Sequence, residues 1–260
     1  MAKSIKKIIF KTLSLENYLR LLQRSYFVLY KTKILKNSPN YSYHYYAKNL
    51  IRKGDTVIDI GANLGYYSIL FSNWVGEKGK VYSVEPIAVY NKIFNEKAKK
   101  HKNITLYPYA LGLEEKKIEL VSSPKTGYLS TGLPHVYDSD RDGRLEDQEF
   151  RFQAEMKIPS ELFEPLDRID YIKCDIEGFE YVVLNNMKDL IDKHKPIVQA
   201  EVWGDNETNV NRLFKDMGYI PHKLKDGKLT SLEKENQKIN GDYVYIHKDS
   251  LRLPAKNRFE

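Results

Sequence analysis

Short apolar runs separated by longer mixed stretches repeat along most of this chain. From Gly54 onward they predict strands near residues 56–60, 80–84, 104–109, 170–174, 197–202, 219–224 and 242–247. The stretches after the first, second, fourth and fifth runs have helical spacing. Repeated strand–helix units with short links are typical of an α/β fold, a doubly wound and mostly parallel sheet with helices on both faces.

The two ends of the chain depart from this rhythm. The runs at 219–224 and 242–247 are joined through Asp226-Gly227 and a polar stretch, which predicts a terminal hairpin and one antiparallel C-terminal strand. Residues 4–36 predict one or two basic amphipathic helices. We favour a helical cap packed over the core, and a membrane-surface helix attracted to anionic lipid stays open as the alternative.

The run Thr56–Ile60 leads directly into the turn Gly61-Ala62-Asn63-Leu64-Gly65, and helical spacing resumes at Tyr66. Glycine takes positive φ without steric cost and asparagine takes it at modest cost. A strand, a tight glycine turn and a helix start are typical of a mononucleotide-binding element. The dinucleotide fingerprint would need glycine where Asn63 and Tyr66 stand, so the turn disfavours a pyrophosphate.

Two carboxylates flank this element. Asp59 lies at the end of the first predicted strand, where it can accept hydrogen bonds from a ligand's ammonium group. Glu85, followed by Pro86, ends the second strand, where nucleoside-binding sheets present an acid to ribose hydroxyls. S-adenosylmethionine carries an ammonium, a sulfonium and a ribose. The alternative is that Asp59 caps a turn and Glu85 is a surface carboxylate.

Composition fits one enzyme-sized domain, because 260 residues with 42% hydrophobic content can bury a substantial core. A formal net charge of +7 permits anionic partners without specifying them. The lone Cys174 excludes an intramolecular disulfide, fits a reducing compartment and is expected to be a small buried side chain. Because we find no signal peptide and no apolar run long enough for a bilayer span, we expect a cytoplasmic protein.

Four ordered motifs resemble class I S-adenosylmethionine-dependent methyltransferases, and within them the FkbM-type family. The motifs are Val57-Ile58-Asp59-Ile60-Gly61-Ala62-Asn63-Leu64-Gly65-Tyr66-Tyr67-Ser68, then Val84-Glu85-Pro86, then Ala110-Leu111-Gly112, then Ile169-Asp170-Tyr171-Ile172-Lys173-Cys174-Asp175-Ile176-Glu177-Gly178-Phe179-Glu180. The resemblance covers about residues 50–205. Any one motif alone would be weak, and their order makes the set specific.

The resemblance implies a Rossmann-like, seven-stranded sheet, S-adenosylmethionine as methyl donor and O-methylation of a hydroxyl in a carbohydrate, glycan or related natural product. We expect an N-terminal helical extension, 1–50, and a methyltransferase domain, 51–260, although the first and last fifty residues contain no motif of the resemblance. The residues expected to bind the cofactor are Asp59, Gly61, Ala62, Asn63, Gly65, Ser68, Glu85, Pro86, Ala110 and Asp175. The expected partner is a small-molecule or glycan acceptor.

Methyl transfer to a hydroxyl needs an in-line approach to the methyl group and removal of a proton. Asp175, Glu177 and Glu180 follow the fourth main strand and Glu201 ends the fifth, so these carboxylates are expected to converge. The catalytic candidates are Glu177 first, then Asp175 and Glu201. Mutual repulsion could make one of them a base, or the three could hold a divalent cation. Glu177 could instead be a helix N-terminal residue stabilised by the dipole.

Histidines and tyrosines supply further candidates. His135 and His222 could act as bases, but neither lies in a diagnostic motif. Four tyrosines surround His44 within residues 41–46, just before the core. This cluster could wall the cofactor or substrate pocket, or it could be packing.

Residues 121–160 interrupt the strand–helix rhythm with a long loop, which we interpret as an acceptor-side insertion. Within it, Asp138, Asp140, Asp142 and Glu149 satisfy a calcium-loop pattern. The flanking sequence does not predict the two helices of an EF-hand, so a solvated acidic turn is favoured over calcium binding.

Three other functions stay open at this stage. Net positive charge permits RNA methylation, although no basic stripe interleaved with aromatic residues is evident and we expect no nucleic-acid partner. The chain could also bind the cofactor without transferring a methyl group. An NAD-dependent oxidoreductase is disfavoured because the second and third glycines of its fingerprint are missing.

Overall fold

The computed structural model describes residues 3–123, 127–232 and 240–250. The α-helices are α1 (Lys3–Thr12), α2 (Leu15–Lys31), α3 (Ser42–Tyr46), α4 (Tyr66–Val75), α5 (Ala88–Ala98), α6 (Ser139–Asp142), α7 (Pro159–Phe163), α8 (Glu180–Asn186), α9 (Lys188–His194) and α10 (Gly204–Asp216). The strands are β1 (Thr56–Ile60), β2 (Lys80–Val84), β3 (Ile104–Tyr107), β4 (Tyr109–Leu111), β5 (Lys116–Ser122), β6 (His135–Val136), β7 (Phe150–Lys157), β8 (Tyr171–Cys174), β9 (Ile197–Val202), β10 (Tyr219–Lys225), β11 (Lys228–Ser231) and β12 (Gly241–His247). Short 3₁₀ helices cover Ile34–Asn37, Pro39–Tyr41, Ala47–Asn49 and Leu145–Asp147.

The larger sheet has the order β11-β10-β12-β9-β8-β1-β2-β3. The five consecutive strands β9, β8, β1, β2 and β3, the last of them at the edge, pair in parallel. Alternate residues of β1 face opposite sides of the sheet. Val57 therefore packs in one core with α4, and Ile58 packs in another core with α8, α9 and α10. The α/β prediction with helices on both faces is confirmed, and the described part of the sheet contains eight strands instead of seven.

The predicted antiparallel pairing of 219–224 with 242–247 is confirmed as β10 with β12, but the connection between them contains an additional strand. Asp226 and Gly227, both with positive φ, form a tight turn from β10 into β11 and not into β12. β12 instead lies between β9 and β10 and is antiparallel to both. The antiparallel C-terminal strand is therefore confirmed, and the extra hairpin strand β11 accounts for the eighth member of the sheet.

A second sheet, with the order β4-β7-β5-β6, corrects two sequence predictions. The predicted strand 104–109 is split at Pro108, because proline donates no hydrogen bond to a ladder, and β4 continues in the second sheet. The predicted long loop 121–160 contains the eight-residue strand β7, which pairs with β5 from Lys116↔Met156 to Ser122↔Phe150. Residues 124–126 of that region, and 233–239 and 251–260 of the predicted domain 51–260, lie outside the described residues.

The N-terminal helices pack on the sheet-bearing part of the chain. Gln23 of α2 is buried and donates to the carbonyls of Leu64 and Ile93, at 2.7 and 3.2 Å. Arg20 forms an ion pair with Glu96 of α5 at 2.7 Å. These contacts fix α2 next to the turn that follows β1. Within the described ranges, no helix has the length and apolar character needed to span a membrane.

Candidate active site

A cavity opens at the carboxyl ends of β1, β2, β8 and β9, where the strand–helix pattern places ligands. Among the described residues, its lining includes all the predicted cofactor-binding residues except Gly65 and Ser68, and all three catalytic candidates. The structure therefore brings together side chains that are more than a hundred positions apart in the sequence, as with Asp59 and Glu201.

Gly61 allows the ends of β1 and β8 to approach each other closely. It has a φ of +80°, and a Cβ built at this position would lie 1.9 Å from the carbonyl oxygen of Asp175. No other residue type fits both the backbone conformation and the space. The first turn of the site and the carboxylate motif after β8 are thus a single packed unit.

Asn63 and Gly65 complete the turn. Asn63 has a φ of +53°, its backbone N–H donates to Glu85 Oε2 at 2.8 Å, and its side chain donates to the carbonyl of Thr131 at 2.7 Å. A Cβ on Gly65 would lie 2.4 Å from the ring of Phe94. Asn63 therefore connects the β1 turn both to the acid after β2 and to the loop before β6.

Asp59 is fully buried and accepts a hydrogen bond from Ser68 Oγ at 2.5 Å. Ser83 donates in turn to Ser68 at 2.8 Å, so Ser68 supports Asp59 from behind the cavity. The second carboxylate oxygen of Asp59, Oδ1, is buried without a hydrogen-bond partner in the described part of the chain. Burial raises the pKa of Asp59, while the nearby charge of Lys173 opposes the rise.

Lys173 is the cationic centre of the site. It is buried, its Nζ donates to Asp175 Oδ2 at 3.0 Å, and the same atom lies 4.9 Å from the ring centroid of Tyr67. Burial alone would lower the pKa of Lys173, but the charges of Asp175 and Asp59 outweigh it and raise the pKa. This ammonium partly neutralises the surrounding carboxylates.

Glu180 does not face the cavity with the other carboxylates, which corrects the expected grouping. Its buried carboxylate accepts hydrogen bonds from the backbone N–H of Ile176 at 2.8 Å and of Gly178 at 3.1 Å, and from the side chain of Asn206. It therefore holds the turn on which Glu177 lies. Glu177 has a φ of +56°, a strained conformation for a glutamate that these hydrogen bonds stabilise.

We expect Glu180→Ala to lower the free energy of unfolding by about 2–3 kcal/mol, because it leaves backbone donors of the turn without their acceptor. Urea unfolding followed by circular dichroism measures this change. Glu161→Ala, at an exposed position on α7, is the control and should change stability by less than about 0.5 kcal/mol. Equal effects of the two substitutions would contradict the role given to Glu180.

Glu177 and Glu201 are the two catalytic candidates at the cavity wall with raised pKa values. The residue Glu177 is exposed as a whole, but its carboxyl lines the cavity and Oε1 lies near Gly132. Desolvation there, followed by the charges of Asp175 and Glu201, raises the pKa of Glu177 to about 8. Desolvation and the charges of Asp175 and Asp242 also raise the pKa of Glu201. A carboxyl of this kind is a stronger base than an ordinary glutamate.

The two other candidate bases have different surroundings. Both ring nitrogens of His135 face oxygen acceptors, with Nδ1 2.9 Å from the Leu133 carbonyl and Nε2 3.0 Å from Asp142. His135 lines the cavity but has no ring nitrogen free for a ligand. His222 lies on β10 and is not part of the cavity lining among the described residues. Neither position supports a role as base.

No group of three or more His, Cys, Asp or Glu side chains is arranged to hold a metal ion in residues 3–123, 127–232 and 240–250. This holds for Asp175, Glu177 and Glu201, and for the calcium-loop pattern. In the latter, Asp138 caps the short helix α6, and Asp142 is bound by Arg141 and His135. The predicted divalent cation and calcium site therefore gain no support from the structure.

Sequence reasoning missed Lys173 and gave His44 no specific role. The spacing of Lys173 and Asp175 contains the signal for Lys173, since residues two apart on a strand face the same side. His44 lines the cavity, whereas Tyr43 beside it bonds to Asp242 and Leu224 at the C-terminal strands. Within residues 41–46 only His44 lines the cavity, and the four tyrosines around it pack against neighbouring elements.

Comparison with known proteins agrees with this geometry. The family model of the methyltransferase FkbM domain matches residues 59–221. No curated protein matches the chain. The matched range includes every cavity residue from Asp59 to Glu201 and excludes His44.

Similar solved structures are distant in sequence. An FkbM methyltransferase from Methylobacillus flagellatus is 14% identical with a TM-score of 0.48, over 74% of this chain and 43% of that one. An S-adenosylmethionine-dependent O-methyltransferase from Thermotoga maritima is 12% identical with a TM-score of 0.43, over 80% of this chain and 65% of that one. This chain thus spans less than two thirds of either protein. Because the family model covers more than half of the 260 residues, the chain belongs to the FkbM family of methyltransferases.

Proposed function

We propose that this protein is an S-adenosylmethionine-dependent O-methyltransferase that acts on a hydroxyl of a carbohydrate or glycan. One observation carries the proposal: the glycine turn after β1 and the carboxylates after β8 and at the end of β9 line the same cavity. The first can hold a nucleoside cofactor, and the second can receive a proton from an acceptor. Family membership supports methyl transfer, and the O-methylation and the carbohydrate acceptor are our inference.

The residues present fit the cofactor. The unpartnered Oδ1 of Asp59 is a buried acceptor at the cavity wall, and the ammonium group of the cofactor's methionine portion would satisfy it. Glu85 would hold the ribose hydroxyls, because each of its oxygens accepts one backbone hydrogen bond, from Asn63 and from Ile87, and keeps capacity for another. Ala110 and Pro86 line the same wall and would border the adenine.

When bound, S-adenosylmethionine supplies the methyl group. The chain's own contribution is to hold the acceptor hydroxyl near Glu177 and to take its proton. Glu177 suits this task because its carboxyl makes no hydrogen bond with any described residue and its pKa is raised to about 8. Lys173 holds Asp175 in place through an ion pair, and its positive charge offsets part of the negative charge of the neighbouring carboxylates.

The cavity lining supports a carbohydrate acceptor. Tyr66 and Tyr109 line the same cavity as Glu177 and Glu201. A sugar offers C–H faces that pack on aromatic rings and hydroxyls that donate to carboxylates. A flat, purely apolar acceptor would leave these carboxylates without partners.

The test is a transfer assay with S-adenosylmethionine labelled in its methyl group. The acceptors are a panel of methyl glycosides of hexoses and deoxyhexoses, with transfer RNA and ribosomal RNA fragments as the competing class. We expect label in at least one glycoside and none in RNA. Label in RNA alone, or in neither class, would contradict the proposed acceptor.

A further inference from the structure

The segment that precedes the methyltransferase core places one imidazole in the active-site cavity. His44 lies in α3, and its Nδ1 is 2.6 Å from the hydroxyl of Tyr26 on α2. Its ring stacks on Tyr67 of α4, with 4.0 Å between the ring centroids. A hydrogen bond at one edge and a stacked ring on one face fix the orientation of this side chain.

The other ring nitrogen of His44 is available to a ligand. His44 lines the cavity together with Lys173, Glu177 and Glu201, and its Nε2 has no hydrogen-bond partner within the described residues. That nitrogen is also not among the fully buried polar atoms that lack a partner. A ring nitrogen that is unpaired and open to the cavity is therefore positioned to contact whatever occupies the space.

The imidazole is neutral over the ordinary pH range. Burial, followed by the nearby charge of Lys173, lowers the pKa of His44 to about 3. The other groups around it are the uncharged hydroxyl of Tyr26 and the ring of Tyr41. A neutral ring can hydrogen-bond a hydroxyl without placing a second positive charge beside a sulfonium.

We propose that His44 hydrogen-bonds the methyl acceptor through Nε2 and so makes the N-terminal helical segment part of the acceptor site. This inference rests on the proposed function, because it names a further residue of the same site. The proton of the acceptor still goes to Glu177, and His44 positions the hydroxyl. The family model begins at residue 59, so the contact lies outside the part of the chain that the family match covers.

Two substitutions distinguish the contribution of Nδ1 from that of Nε2. His44→Asn keeps an amide near Nδ1, which can bond Tyr26, and removes the group near Nε2. His44→Gln keeps an amide near Nε2. With the acceptor that the transfer assay identifies, of either class, we expect His44→Asn to raise KM about tenfold and His44→Gln to restore most of this loss.

The affinity for S-adenosylhomocysteine should stay within about twofold in both variants, since the acceptor contact does not involve the cofactor. Tyr45→Phe is the control, because Tyr45 packs on Tyr30 in the same segment outside the cavity lining. An unchanged acceptor KM in His44→Asn, or a loss confined to cofactor affinity, would overturn the inference.

Chemical modification tests the accessibility of His44, on which the inference depends, even if no acceptor is found. Diethyl pyrocarbonate acylates accessible neutral imidazoles, and peptide mass mapping locates the label. We expect His44 of the full chain to be labelled both alone and with saturating S-adenosylhomocysteine. Protection of His44 by S-adenosylhomocysteine, or no label in either state, would overturn the role of His44. Labelling of His44 together with no methyl transfer to glycosides or RNA would contradict only the proposed acceptor.

Discussion

Glu177→Gln should lower the turnover number by about 10²–10⁴-fold and leave the affinity for S-adenosylhomocysteine within about twofold. The glutamine keeps the size of the side chain and its place on the turn after β8 but cannot take a proton. Initial rates at saturating acceptor and cofactor, together with isothermal titration of S-adenosylhomocysteine, measure the two quantities separately. Glu161→Gln, an exposed acid on α7, is the matched control.

The role of Glu177 as a base also predicts how the turnover number of the wild-type protein changes with pH. A base with a pKa of about 8 is mostly protonated at neutral pH and becomes active as the pH rises. The turnover number should therefore increase about tenfold between pH 7 and pH 9, and this increase should disappear in Glu177→Gln. A variant that kept more than about a tenth of the wild-type turnover, with the same pH profile, would remove Glu177 from the reaction.

Gly61→Ala should abolish cofactor binding and lower the free energy of unfolding by about 2–5 kcal/mol. Its Cβ would lie 1.9 Å from the carbonyl oxygen of Asp175, so β1 and β8 would have to separate at the point where the site is built. Gly54→Ala is the control for backbone strain alone, since Gly54 also has positive φ, +86°, but a Cβ added there would meet no atom within 4 Å among the described residues.

The two glycine variants are compared by urea unfolding and by titration with S-adenosylhomocysteine. Gly54→Ala should lose about 1–2 kcal/mol of stability and bind normally. If Gly61→Ala bound S-adenosylhomocysteine like the wild type, the packing of the β1 turn against Asp175 would not be what shapes the site.

The strand, turn and helix start that form one wall of the cavity could be predicted because their signals are local. The strand Thr56–Ile60, the glycines at 61 and 65 and the helix start at Tyr66 follow one another in sequence, and each local choice agrees with the fold. The split of the predicted strand 104–109 also had a local signal in Pro108, which cannot donate to a strand ladder. The pairing of β10 with β12 was predicted, but the strand β11 between them in sequence was not, because the Asp226-Gly227 turn joins β10 to β11 and not to β12.

The wall of the cavity formed by His44 and the carboxylates after β8 depends on long-range packing and was predicted less completely. Asp175, Glu177 and Glu180 look equivalent in sequence, and only the tertiary contacts of Glu180 with Asn206 and the turn distinguish a structural carboxylate from an exposed one. His44 enters the cavity because Tyr26 and Tyr67, from two different helices, hold its ring. No spacing in the sequence encodes that arrangement.

The most direct test of the central claim is isothermal titration of the full chain with S-adenosylhomocysteine and, separately, with NAD. We expect one equivalent of S-adenosylhomocysteine to bind in the cavity that Asp59, Glu85 and Asp175 line, and NAD to give no heat of binding. Binding of NAD without binding of S-adenosylhomocysteine would contradict the central claim.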